Sequence, residues 1–197
     1  VSKTSDDKIL TDAEMFFQYK VHLPTRTLFL GPAADSEDDT DHNMSERAII
    51  GLHILDNLES ELPITIKMKN EGGSVTDGFT IYDEILECRS LVHIIVCGAA
   101  SSMGSVILQA ADKRIIRPNA YVMIHEGETA HAGTVKNIEA WMKFEKEQDE
   151  RCYQIYLDQI RKVDPEFTRA KLINMMKCDK LLNSEQALEL GLVDEIS

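Results

Sequence analysis

Two periodicities alternate along the chain. Ile64-Thr-Ile-Lys-Met-Lys-Asn70 alternates apolar and polar positions, the two-residue period of a strand with one buried face. Arg26-Thr-Leu-Phe-Leu-Gly31 reads as a strand ending in glycine, and Val92-His-Ile-Ile-Val96 as a fully buried one. Lys113–Arg117, a Pro118-Asn119 turn and Tyr121-Val-Met-Ile-His125 predict a strand pair. Between these runs the apolar spacing becomes three to four. Ser45–Glu59 predicts a helix with Ile49, Leu52, Leu55 and Leu58 on one face. Ser74-Val-Thr-Asp77 has capping-box spacing and opens a helix carrying Val75, Phe79, Tyr82, Ile85 and Leu86. Met103–Ala111 carries Val106, Ile107 and Ala110 on one side. Strand-then-helix units therefore recur at 27–59, 64–89 and 92–111, which predicts an α/β fold with a parallel sheet and helical crossovers.

The remaining segments are simpler. Ala13–Tyr19 reads as a short helix or an arm. A long amphipathic helix is expected from Val135 to about Val163, with Asp164-Pro165 ending it and serving as N-cap and first position of another helix. A last helix begins near Asn183-Ser184 and stops at Gly191, and Leu192–Ile196 is a final short strand. Pro32–Met44 is an acidic loop. Its Asp35, Glu37, Asp39 and Asp41, followed by Asn43 and Glu46, mimic the ligand spacing of a calcium loop. Thr40 stands where such a loop needs glycine, and a strand rather than a helix precedes it, so a solvated insertion is the expectation.

Length and charge narrow the class. At 197 residues the chain fits one domain with a full-sized core. A net charge of −13 argues against nucleic acid and anionic membrane as partners, because both repel an acidic surface. No apolar run approaches the length of a bilayer span, and Val1–Asp12 does not resemble a signal peptide. Cys88, Cys97, Cys152 and Cys178 form no C-x-x-C pair, which disfavours zinc and suits buried free thiols in a reducing cytoplasm.

Candidate chemistry gathers around Val92–Gly104. The strand is expected to break at Gly98-Ala-Ala, leaving Ser101-Ser102 at a strand–turn–helix junction, where a nucleophile is often mounted. The strict G-x-S-x-G pattern is absent, and either serine could equally be a helix N-cap. Gly72-Gly73 forms a second glycine turn before a helix. If the two parent strands are neighbours, both turns meet at the carboxyl edge of the sheet, where backbone N–H groups could serve a substrate oxygen. His125 closes a strand just beyond the serine unit; a satisfied buried histidine is the alternative reading. His131 lies in a polar stretch and is expected to be exposed, and His22, His42, His53 and His93 have no partner motif.

Four stretches, in order, carry a resemblance: Asn70-Glu-Gly-Gly-Ser-Val-Thr-Asp-Gly-Phe-Thr-Ile-Tyr-Asp, Gly98-Ala-Ala-Ser-Ser-Met-Gly, Arg117-Pro-Asn-Ala-Tyr-Val-Met-Ile-His and Asp179-Lys-Leu-Leu-Asn-Ser-Glu-Gln-Ala-Leu-Glu-Leu-Gly-Leu-Val-Asp. Together they resemble the proteolytic-subunit (ClpP) family of the Clp protease over about residues 64–196, as a divergent member. The resemblance implies the ClpP/crotonase-like fold as a single domain over 1–197 with a handle (126–163); in the N-terminal arm (1–25) the family's axial-loop segment is not recognisable, and the acidic loop (32–44) reads as an insertion. It implies Ser102 as nucleophile, His125 as general base and Asp179 as the acid that orients it, with the N–H groups of Gly73 and Met103 as oxyanion hole. It further implies a serine endopeptidase without metal or organic cofactor, built as two stacked seven-membered homo-oligomeric rings. Such an assembly cleaves peptides unaided and unfolded polypeptide delivered by an AAA+ unfoldase.

The departures are specific. Asn70-Glu71 stands where the family has Ser-Pro, Ser101 where it has alanine, and Glu126-Gly127 where Gln-Pro follows the histidine. Thr65 and Lys67 replace aromatic residues of the family's ATPase-docking pocket, which puts the identity of an unfoldase in question. Two other classes stay open: a non-catalytic or modulatory ring subunit, and a crotonase-type acyl-CoA enzyme sharing the fold.

Overall fold

The structure, a computed structural model, describes residues 11–31, 40–58 and 61–197. The two-residue periodicities become a mixed sheet whose main path runs β1 (Val21–His22), β2 (Thr27–Leu30), β3 (Ile64–Asn70), β4 (Val92–Ser101), β5 (Lys113–Ile116) and β8 (Glu195–Ile196). The β2, β3, β4, β5 and β8 strands are parallel neighbours, and β1 folds back antiparallel on β2. Crossover helices α2 (His42–Leu58), α3 (Val75–Glu87) and the short α4 (Met103–Leu108) connect the parallel strands, as parallel pairing requires. Ile64, Ile66 and Met68 of β3 and Val92, Ile94 and Val96 of β4 are fully buried, while Lys67 and Lys69 point to solvent. Against them pack Leu52 and Leu55 of α2 and Ile81 and Ile85 of α3. The outer ends of the predicted faces, Leu58 and Leu86, stay exposed.

Four expectations change. First, the central strand does not break at Gly98; it runs ten residues, from Val92 to Ser101. Small residues there permit a change of partner rather than a turn. Residues 93–96 pair with β5, and Ala99–Ser101 pair with β6 (Tyr121–Ile124). Second, β5 and β6 consequently do not pair with each other; they lie one after the other along β4. Third, Asp164-Pro165 does not start a helix. Asp164 accepts the N–H of Glu166 in a turn, and α6 (Arg169–Met176) begins after Thr168, whose hydroxyl accepts the N–H of Lys171. Fourth, Ser74 caps α3 by accepting the Asp77 N–H, but the Asp77 carboxylate accepts from Ser45 of α2 rather than closing a capping box. The thiols are also less buried than expected, with Cys97 and Cys178 exposed and Cys88 and Cys152 half-buried, all four free.

The 12–19 segment forms α1 (Asp12–Tyr19), fixed by a capping box between Thr11 and Glu14. Of the acidic loop, Asp35, Glu37 and Asp39 lie outside the described residues. Asp41 caps α2 through the Met44 N–H at 2.7 Å, and no group of metal-ligating side chains occurs among the described residues. No helix among them is long and apolar enough to cross a membrane.

The last strand is held by one buried cation. Arg114 (6 % exposed) donates to Gln109 Oε1, to the Gly191 carbonyl and to both carboxylate oxygens of Asp194. Burial opposes the charge on Asp194, but the Arg114 side-chain and backbone N–H bonds outweigh it and hold the carboxyl below its ordinary value of 3.8. A depressed folded value means stability present above the unfolded value and lost as pH falls through the folded one. Asp194→Asn should therefore lower the unfolding midpoint at neutral pH, and the gap to the wild type should close in acid, below pH 3.8. A gap that stays constant down to that range contradicts the ion-pair account.

Candidate active site

Sheet register brings the candidate residues together. Ser102 follows β4 directly, and its N–H donates to the Met123 carbonyl of β6 at 2.9 Å. This bond fixes Ser102 beside the end of β6, from which His125 emerges. On the other side of β6, the antiparallel β7 (Lys180–Asn183) pairs Lys180 with Ile124, so the next positions, Asp179 and His125, face each other. In the result, Ser102 Oγ lies 2.8 Å from His125 Nε2, and His125 Nδ1 lies 3.1 Å from Asp179 Oδ1. With the ring proton on Nδ1, that nitrogen donates to the carboxylate and Nε2 is left to accept the serine proton. The imidazole is 22 % exposed and the Asp179 side chain 68 %, so the ring is sheltered and the carboxylate solvated.

Ser102 carries strain. Its φ of 49° and ψ of −122° are unusual for a non-glycine residue and turn the chain from β4 into α4, as in a nucleophile elbow. The turn is braced from beneath: Ser105 Oγ lies 2.6 Å from the Ser102 carbonyl and 2.6 Å from the Tyr156 hydroxyl. Tyr156 belongs to the long helix α5 (Val135–Ile160) and is buried, which raises its phenol above the ordinary range. The junction is thus hydrogen-bonded to the C-terminal half of α5.

Two backbone N–H groups bear on the oxyanion-hole expectation, those of Met103 and Gly73. Met103 is the first residue of α4, and a first-turn N–H has no partner within its helix. Gly73 forms an isolated parallel bridge with Thr40, made by Thr40 N–H to the Gly72 carbonyl and Ser74 N–H to the Thr40 carbonyl. In that pairing Gly73's own N–H points away from Thr40. Its φ is 138°, and a Cβ there would lie 2.5 Å from the Thr40 carbonyl oxygen, so both conformation and space demand glycine. Buried Asn70 holds the loop from below, accepting from Gly72 N–H at 2.7 Å and from Thr40 Oγ1 at 3.0 Å. A Cβ on Gly104 would meet that same amide oxygen at 2.7 Å; the start of α4 presses directly against the glycine loop.

A cleft of about 470 Å³ opens from Gly73 and Val75 along the 127–131 loop to Trp141 and Phe144 of α5. A smaller recess beside Ser102 and His125 is walled by Val106, Tyr156 and Met176, with Glu126, Asp149 and Cys152 on its flank. Burial pushes the Cys152 thiol up to about 12, with the Asp149 charge adding to it, which favours the protonated sulfur at neutral pH. Burial likewise raises the Asp149 carboxyl, reinforced by the charges of Glu145 and Glu126. His131 is not exposed as expected. Its ring stacks on Trp141 and its Nε2 donates to Glu145 Oε1 at 2.8 Å, a bond that, with the Thr129 hydroxyl, holds Glu145 below the ordinary carboxylate range.

Sequence reasoning missed Thr40, Asn70 and Tyr121, which carry no catalytic motif of their own. Thr40 is distant in sequence from the glycines it pairs with, and it drew notice only as the residue standing where a calcium loop needs glycine. The buried asparagine one position before Glu71 ends an otherwise regular alternation, which is the signal that could have singled it out.

Among known proteins, the architecture is that of the mixed α/β sheet with a protruding helix found in the ClpP fold. The family model described as Clp protease matches residues 13–197, and the chain belongs to the Clp protease family. It is 30 % identical over 180 residues to the ATP-dependent Clp protease proteolytic subunit of Deinococcus radiodurans, covering 90 % of this chain and 83 % of that protein.

Proposed function

We propose that this chain is a serine endopeptidase in which Ser102, His125 and Asp179 form the catalytic triad. The observation that carries the reading is the unbroken hydroxyl–imidazole–carboxylate line within a Clp protease family member. Ser102 Oγ attacks the peptide carbonyl while its proton passes to His125 Nε2. The carbonyl oxygen becomes an oxyanion between the N–H groups of Gly73 and Met103. Collapse breaks the C–N bond, the leaving amine takes the proton from Nε2, and an acyl-serine remains. Water, deprotonated by the same nitrogen, then releases the carboxylate product and restores Ser102. Asp179 keeps the imidazole in the productive tautomer and stabilises its charged form.

The same reading extends to assembly and delivery. Trp141, Met142 and Phe144 expose 55, 46 and 46 % of their area on α5, more apolar surface than a solvated helix needs, which supports two stacked seven-membered rings joined through this helix. Native mass measurement should give an assembly of about that size; a stable monomer with full peptidase activity would refute it. Free thiols suit a cytoplasmic setting, and the similarity to an ATP-dependent proteolytic subunit supports an AAA+ unfoldase partner. Lys67 lies over the Phe29 ring at 5.7 Å, on the outer face next to Thr65, so a docking loop would have to desolvate an ammonium there. Degradation of a tagged folded substrate with an ordinary Clp-type unfoldase and ATP should therefore be weak while peptide hydrolysis is retained. Robust degradation would remove the specialised-partner reading.

The deciding assay for the activity is hydrolysis of fluorogenic peptides by the purified chain alone. Turnover excludes a non-catalytic ring subunit. An inert chain that instead hydrates or hydrolyses acyl-CoA thioesters would move the reading to crotonase chemistry.

A further inference from the structure

The β3–β4 ladder loses its register just before the glycine loop. Met68 pairs with Val96, but Asn70 pairs with Ala100, so β4 accommodates two more residues than β3 across this interval. Pairing resumes only at Asn70–Ala100, so a single shifted pair rather than a regular ladder leads into Gly72-Gly73 and Ser102. A side-chain junction lies at the same level. Glu71 Oε2 accepts the Ser101 hydroxyl at 3.0 Å and the Tyr121 hydroxyl at 3.0 Å. Ser101 is 2 % exposed and immediately precedes the nucleophile; Glu71 immediately precedes the glycine pair; Tyr121 opens β6, the strand that leads into His125. One carboxylate oxygen thus ties together the three segments carrying the oxyanion donors, the nucleophile and the base. We infer that Glu71 is a positioning residue that, through Ser101 and Tyr121, sets the oxyanion loop against Ser102, an inference that rests on the serine-peptidase reading.

The physical need is clear. Oxyanion donors act only when held within fractions of an ångström of the developing charge. A carboxylate close to that charge would oppose it, and two hydroxyl donors keep its charge directed toward Ser101 and Tyr121. Charge-assisted hydrogen bonds of this kind are stronger than neutral ones, which suits a brace beside a ladder that has shifted register.

The test uses the full chain with four substitutions, a fluorogenic peptide and a serine-directed phosphonate. Glu71→Ala should lower kcat about tenfold to a hundredfold with KM nearly unchanged, the signature of misplaced donors rather than weakened binding. Glu71→Gln keeps an acceptor oxygen and should recover most of kcat. Ser101→Ala and Tyr121→Phe each remove one donor; each should slow turnover and phosphonate acylation, with little further loss when combined with Glu71→Ala. The two hydroxyl variants decide the matter if Glu71→Ala fails to fold. Wild-type kcat in Ser101→Ala and Tyr121→Phe overturns the inference, as does a Glu71→Gln variant as slow as Glu71→Ala. A wild-type chain inert to both peptide and phosphonate marks failure of the peptidase reading itself, and the inference falls with it.

Discussion

Ser102→Ala will reduce peptide hydrolysis by on the order of 10⁴-fold or more, because binding and the oxyanion donors alone retain only a small part of a triad's catalysis. The hydroxyl is the atom 2.8 Å from His125 Nε2, and no other hydroxyl among the described residues is bonded to that nitrogen. Covalent labelling by a phosphonate should vanish in the same variant. Ser101→Ala is the informative companion. Its hydroxyl is directed to Glu71, so labelling should still go to completion, more slowly. Loss of labelling in Ser101→Ala with retention in Ser102→Ala would reverse the assignment.

Gly73→Ala should cost about 10²–10³-fold in kcat, the usual consequence of losing one oxyanion donor. The residue sits at φ 138°, and the added methyl would lie 2.5 Å from the Thr40 carbonyl oxygen, a backbone atom that cannot swing aside. The loop must therefore shift, carrying the N–H with it. Gly98→Ala is the contrast. Its methyl meets only the aliphatic stem of Lys69 at 3.4 Å, at a position without a positive φ, so turnover should stay within about twofold of the wild type. Equal losses in the two variants would mean that Gly73 matters only as a glycine and not as a donor. The unfolding midpoint, measured alongside, separates misplacement from loss of the folded state.

Much of this architecture is readable from periodicity. The alternation in Ile64–Asn70 becomes a strand of those same bounds, because its apolar side chains are all on one buried face. What periodicity cannot show is partner exchange. Gly98-Ala-Ala reads as a turn because small residues commonly make turns, yet here they let β4 pass from β5 to β6, and that exchange places His125 beside Ser102. His131 was misjudged for a related reason. Polar neighbours suggest solvent, but Trp141 and Glu145, ten and fourteen residues on, supply a ring and an acceptor that only the helix geometry of α5 brings near. The roles proposed for Ser102, His125 and Asp179 come from the resemblance of the four stretches, not from spacing; the structure adds their mutual distances. The Glu71 junction was legible only as a departure from that resemblance; the bonds from Ser101 and Tyr121 give it a physical content.

The central claim is that one hydroxyl is activated by His125. The most direct measurement is intact mass and peptide mapping of the native wild-type chain after reaction with a serine-directed phosphonate. The account predicts one adduct per chain, on Ser102, lost on prior unfolding and slowed in His125→Ala. An adduct on another residue, or none under conditions where the folded state is verified, would contradict it.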